Sequence, residues 1–203
     1  MPVHRGQVTG SNRIWIAGKG TPPVPERFLV PTVTRAEQLI GAEPVLEADV
    51  QLAQVVDLPA SLDELDASEL RLVEDFIKWA KESGAADGYI ARHRSPWWSV
   101  RLGPPAPIVC TYMARRLPAF VRNRAGARLL NIAHGLYPRE ELSDEQLLRL
   151  AAALRASVQR NQGRTYAGGL TKFEPKEVER ILIPAAWMLP DALEQPPAAS
   201  LDG

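Results

Sequence analysis

One cysteine in 203 residues excludes an internal disulfide, and Cys110, set in the apolar run 107–113, has no Cys or His near it at zinc-ligand spacing. Long hydrophobic runs are missing as well. Nothing approaches the roughly 18 apolar residues of a spanning helix, and the first ten residues, MPVHRGQVTG, lack the apolar core of a signal peptide. A soluble, cytoplasmic protein is the expectation. His4, His93 and His134 are scattered, with no His-x-x-His or His-Glu pairing, so no metal site is expected. Gly18-Lys19-Gly20 is followed by Thr-Pro-Pro-Val-Pro, which cannot open the helix whose N-terminus would cradle a phosphate; it reads as a turn. No catalytic, metal-binding or cofactor-binding residue is therefore expected in this chain.

Net charge is zero, 24 basic side chains against 24 acidic ones, but acids are missing where bases collect. Residues 37–75 carry eleven acids against Arg71 alone. Residues 88–139 carry nine arginines and no acid: Arg92, Arg94, Arg101, Arg115, Arg116, Arg122, Arg124, Arg128 and Arg139. Neutrality is thus the cancellation of an acidic stretch by a basic one, and it says nothing about partners until read locally.

Residues 61–83 recur as a helix, with Ser61 and Glu64 at capping-box spacing and Gly84 as a stop. A second helix fits 143–160, opened by Ser143 and Gln146, and a short third starts at Glu174-Pro175. Strands are expected at 12–16, 28–30, 97–102, 108–113, 120–123 and 129–134, the last two joined as a hairpin through Arg124-Ala125-Gly126. The fold class is α+β, a small mixed sheet with two or three packed helices. One domain, 1–189, holds an acidic helical insertion at about 37–83, a basic β-rich part at about 88–139 and closing helices over 143–184. The Pro/Ala/acid-rich tail 190–203 reads as disordered.

Across the basic part, arginine alternates with Trp97, Trp98, Tyr112, Phe120 and Tyr137, beside Asn123, Asn131 and His134, residue types that contact phosphates and base edges. Codon bias in a GC-rich genome would also raise arginine. It would not remove every acid from 52 residues, because ordinary solvated surfaces mix signs. Candidate DNA contacts are Arg101, Tyr112, Arg115, Arg116, Arg122, Asn123, Arg124 and His134, with Tyr166 and Lys172 flanking the Gly168-Gly169 turn. Asn123 could equally serve its turn. Of the adjacent Trp97 and Trp98, a strand would bury one and expose the other.

Several segments together resemble the C-terminal target-recognition domain of adenine-specific DNA methyltransferases of restriction-modification systems, TaqI-like and related enzymes. They are Gly6-Gln7-Val8-Thr9-Gly10-Ser11-Asn12 with Ile14-Trp15-Ile16, Phe28-Leu29-Val30-Pro31, the run 107–113, Phe120-Val121-Arg122-Asn123, His134-Gly135-Leu136-Tyr137-Pro138, and the close from Arg164 to Pro184. The resemblance covers about 5–185. It implies a DNA-reading domain for double-stranded DNA, acting with a methyltransferase catalytic domain or subunit that binds S-adenosylmethionine. The family's catalytic Asn/Asp-Pro-Pro-Tyr/Phe motif is not matched here: Thr21-Pro22-Pro23-Val24, Gly103-Pro104-Pro105-Ala106 and Gln195-Pro196-Pro197-Ala198 have neither an Asn or Asp before the prolines nor an aromatic after them. The expectation is a specificity piece, truncated or split from its catalytic domain and inactive alone. A protein-interaction or inhibitor module, or a non-functional remnant, is the alternative.

Overall fold

The computed structural model describes residues 1–48 and 50–183. Eleven strands and six α-helices follow in order: β1 (Val3–Arg5), α1 (Asn12–Trp15), β2 (Leu29–Val33), α2 (Ala36–Ala42), β3 (Val45–Leu46), β4 (Ala53–Val56), α3 (Ala67–Glu82), α4 (Tyr89–Arg92), β5 (Ile108–Thr111), β6 (Met113–Ala114), β7 (Phe120–Asn123), β8 (Arg128–Leu129), β9 (Ala133–Leu136), α5 (Asp144–Ser157), β10 (Arg164–Tyr166), β11 (Leu170–Lys172) and α6 (Pro175–Glu179). They build a central sheet ordered β1-β9-β5-β7-β3 and two smaller ones, β4-β2-β8 and β10-β11-β6. This is the α+β class expected.

Both faces of the central sheet are covered, which is why β5 and β9 are buried along their whole length. Side chains alternate along a strand, so Ile108 and Cys110 face one way and Val109 the other. The first set packs with Phe120, Leu136 and Phe173 against Leu147, Leu150, Ala151 and Leu154 of α5. On the opposite face Val109 and Val121 meet Leu39 of α2 and Val33 and Leu129 of the β4-β2-β8 sheet. A further core gathers Trp15, Val55, Val56 and Leu130 around α3, whose Val73, Phe76 and Ala80 are fully buried. Burying a side chain such as Phe76 contributes about 1.5–3 kcal/mol.

Helix ends follow local chemistry where the caps are strong. Ser143 accepts the Gln146 N–H at 3.2 Å while the Gln146 side chain accepts the Ser143 N–H at 2.8 Å, the reciprocal pairing that the sequence predicts for α5. Pro175 occupies the first turn of α6 after Glu174. For α3 the cap is Asp66 rather than Ser61. Its carboxylate accepts the N–H groups of Ser68 at 2.8 Å and Glu69 at 2.9 Å, whereas the Ser61 hydroxyl is held in a local turn with Asp63.

The strand expectations need four corrections. Residues 12–15 are a helix: Ile14 and Trp15 are both buried, and the Trp15 N–H reaches the Ser11 carbonyl at 3.1 Å. The 97–102 segment forms no strand; Trp97 and Trp98 both lean, half-buried, on the α3 core, with Trp98 Nε1 donating to the Pro59 carbonyl at 3.2 Å. Tyr112 interrupts the run 108–113, so β5 and β6 join different sheets. The 124–126 turn makes no hairpin and the expected strand 129–134 is divided, since β8 ends at Leu129 and pairs in parallel with β2 while β9 starts at Ala133 and returns to β5 and β1. Asn123 shapes that turn, its Oδ1 accepting the Ala127 N–H at 3.0 Å.

The acidic segment contributes strands as well as helices: β3 pairs in parallel with β7, and β4 pairs with β2. The 190–203 tail and Pro184 lie outside the described residues.

Candidate nucleic-acid interface

β10 and β11 form an antiparallel ribbon, Arg164 opposite Lys172 and Tyr166 opposite Leu170, with β6 as the third strand. All three residues of β10 are exposed, unlike any strand of the central sheet. The tip turns through Gly168 and Gly169, at φ 77° and 74°, a left-handed conformation that side chains resist. At the ribbon's foot Gly163 admits the Phe173 ring, which a Cβ there would meet at 2.6 Å. The tip is therefore free while the foot is wedged into the α5 core.

Tyr112, in the break between β5 and β6, organises the foot. The Arg5 guanidinium lies 4.4 Å and Lys172 Nζ 5.0 Å from its ring centroid, distances at which cations are attracted to an aromatic face. Arg5 also donates to the Tyr112 hydroxyl. Glu174 pairs with Lys172 at 2.7 Å and with Arg5 at 3.5 Å. The Glu174 bond pushes Lys172 up to about 12, and Lys172 in turn holds the Glu174 carboxyl below its usual range. Both groups stay charged at neutral pH.

The structure gathers half of the predicted contact residues here. Tyr112, Tyr166 and Lys172 belong to the ribbon and its foot, and Arg115 and Arg116 follow β6 directly. Tyr166 is 47% exposed. Arg115 and Arg116 are exposed, and among the described residues neither has a carboxylate partner.

The other predicted residues are buried or lie elsewhere. β7 runs antiparallel to β5, Arg122 opposite Ile108, so Arg122–Arg124 sit at the end of β5 remote from Tyr112. There Arg122 pairs with Asp144 at 2.9 Å and Arg124 with Glu47 at 2.7 Å, ion pairs within the fold. Asn123 is buried, its Nδ2 donating to the Ala106 and Ala127 carbonyls at 3.0 Å each. It presents nothing to a duplex. His134 is fully buried beneath Tyr112, its Nε2–H donating to the Phe173 carbonyl at 2.8 Å, and is likewise removed from any surface. Arg101 is exposed but lies on a separate turn, donating to the Ser95 carbonyl.

Arg5, Arg164 and Glu174 were not singled out from sequence. Arg5 had one signal, its place in a segment, 1–36, that carries five bases and one acid. Arg164 extends from β10 to Glu177 of α6 at 2.8 Å. The site therefore offers an exposed ribbon, an exposed tyrosine, two uncompensated guanidiniums and a cation-flanked ring. Such a set can bind a polyanion and stack on planar groups.

Among the described residues no group of His, Cys, Asp or Glu is placed to hold a metal ion, and no helix is long and apolar enough to cross a membrane. Among solved structures, the type IIG restriction endonuclease BpuSI superposes with a TM-score of 0.60 at 16% identity, covering 90% of this chain and 23% of that one, a likeness of fold. Type II methyltransferase M.XamI of Xanthomonas campestris pv. amaranthicola is 53% identical over 183 residues, 90% of this chain and 35% of that protein. Type II methyltransferase M.AccI of Acinetobacter calcoaceticus is 23% identical over 186 residues, 88% of this chain and 34% of that protein. The chain spans about a third of the length of these relatives. The model of the C-terminal domain of the type II methyltransferase M.Eco57I matches residues 2–200, nearly the whole sequence, and this chain belongs to that family of C-terminal methyltransferase domains.

Proposed function

We propose that this domain binds double-stranded DNA and reads the target sequence for an adenine-specific methyltransferase of a restriction-modification system. Transfer itself would belong to a catalytic domain that binds S-adenosylmethionine and receives the extruded adenine. The observation that carries the reading is the exposed β10-β11 ribbon with Tyr166 near its tip and the unpaired Arg115 and Arg116 on the chain leaving β6. A two-stranded ribbon fits the major groove, where an arginine fork matches a guanine edge, and the same fork binds phosphate. The cytoplasm, where chromosomal DNA is reached, is the expected location.

Titrating the chain with a labelled mixed-sequence duplex between about 50 and about 200 mM salt tests this, because each phosphate contact contributes about 0.9 to the slope of log affinity against log salt. Arg115→Ala/Arg116→Ala is expected to lower that slope by about 1.8 if both contact phosphates. No duplex binding at low salt by the wild type, alone and joined to a catalytic domain, would overturn the reading in favour of a protein-interaction module.

A further inference from the structure

A cleft of about 510 Å³ opens between β1 and the turn 101–104. Its walls include His4, Arg5, Gln7, Arg101 and Tyr137, and among the described residues no carboxylate lines it. We infer that this cleft is a phosphodiester site, holding the backbone of the same duplex that the ribbon engages. The inference rests on the DNA-binding reading and adds a second, separate point of attachment to it.

Arg101 is the centre of the argument. It is the one non-glycine residue with positive φ, 56°, among the described residues. A left-handed arginine costs free energy, and such strain persists where the surrounding structure imposes it for a use. The flanking Val100 and Leu102 are packed on the α3 core and hold the backbone in place, while the Arg101 side chain itself stays exposed, its hydrogen bond made to a nearby carbonyl, that of Ser95. No carboxylate pairs with it among the described residues.

The surroundings concentrate positive charge further. Arg94 donates to the carbonyls of Val8 and Thr9, and burial together with the like charge of Arg101 lowers its affinity for its proton. Arg128 donates to the Gly103 carbonyl. Three guanidiniums are thus anchored on backbone carbonyls, which orients them without neutralising them. Asp57 is the acid tied to this turn; it accepts the Leu102 N–H at 3.3 Å, and burial raises its pKa. The rim is held by Tyr137, whose hydroxyl donates to the Pro104 carbonyl at 3.0 Å, and by the tilted His4–Tyr137 ring pair.

Continuity with the ribbon comes through Arg5, which lines the cleft and also reaches Tyr112 at the ribbon's foot. A chain of phosphates, rather than one isolated anion, suits a cleft that abuts the proposed duplex surface. Arg5 would sit between the two attachments.

Arg101→Gly tests the site, since glycine accepts the left-handed backbone and removes an exposed side chain together with its guanidinium. In the full chain, R101G is expected to retain or raise the thermal midpoint, weaken duplex binding roughly three- to tenfold and lower the salt slope by about 0.9. Arg101→Lys should restore most of the slope. The decrement should add to that of the Arg115→Ala/Arg116→Ala variant. Wild-type binding that is weakened by the latter change but whose slope is untouched by R101G would overturn the cleft and leave the DNA reading standing. Stabilisation of wild type but not R101G by sodium phosphate, with an unchanged duplex slope, would also overturn it, because the cleft would then take a free anion. Failure of the wild type to bind any duplex would instead overturn the reading beneath it.

Discussion

Arg122 Nε donates to Asp144 Oδ1 at 2.9 Å, tying the end of β7 to the first residue of α5. The same guanidinium donates from Nη1 to the Pro107 carbonyl at 2.9 Å, so one side chain links β7 to the entry of β5 and to a helix. Arg122→Ala is expected to destabilise the fold by about 1.5–3 kcal/mol, the range for hydrogen bonds to charged groups, and to leave the salt slope of duplex binding unchanged. Urea denaturation beside the duplex titration checks both halves.

Arg124 and Arg122 hold the Asp144 carboxyl down at about 2. A carboxylate depressed in the folded state contributes stability above its usual pKa, near 4, and loses it as pH falls through the depressed value. The difference in thermal midpoint between wild type and Asp144→Asn should therefore be full at pH 5 and shrink between about pH 4 and about pH 2. A pH-independent difference would contradict this.

Asn123 closes three hydrogen bonds in the interior, to Ala106 and twice to Ala127. Asn123→Ala leaves buried backbone groups without partners and should cost about 2–4 kcal/mol. The check is a lower urea midpoint with an unaltered m-value. Loss of sequence preference without loss of stability would return Asn123 to the DNA surface.

His134 is buried, and burial lowers its pKa from the ordinary 6.5. Its Nδ1 has no partner among the described residues, so a second proton would have no acceptor. The unfolded chain binds that proton first, so stability should be complete above about pH 6.5 and fall as pH drops below it. His134→Phe removes the titration and should flatten the stability profile between pH 7.5 and pH 5.5, even though it lowers the plateau by unpairing the Phe173 carbonyl.

Gly6 passes so close to β8 and the residue after it that a Cβ would stand 2.1 Å from the Leu130 carbonyl oxygen. Gly6→Ala should cost more than about 3 kcal/mol, because a backbone atom cannot yield as a side chain can. Gly18→Ala, where nothing lies within 4 Å, is the neutral control. Thermal melts of the two variants decide it.

What could be read from the linear order depended on how local the cause was. The α5 cap was legible because Ser143 and Gln146 bond each other three residues apart. The α1 helix was not: Ile14-Trp15-Ile16 has the composition of a strand, and only burial of adjacent side chains in the α3 core selects a helix. At the site, Arg115, Arg116, Tyr112, Tyr166 and Lys172 were singled out from acid-free composition and a glycine turn. Arg5 was missed because its partners, Tyr112 and Glu174, are more than a hundred residues away.

The sequence by itself determined the class of fold, the start of α5 and of α6, and the segregation of eleven acids in 37–75 from nine arginines in 88–139. Tertiary structure alone decided which arginines remain available. β3 lies beside β7, so Glu47 of the acidic stretch reaches Arg124, while Asp144 of the next helix takes both Arg122 and Arg124. The other seven arginines of the basic stretch have no carboxylate partner among the described residues. Charge along a chain is additive, but its field depends on distance, and strand pairing sets the distances.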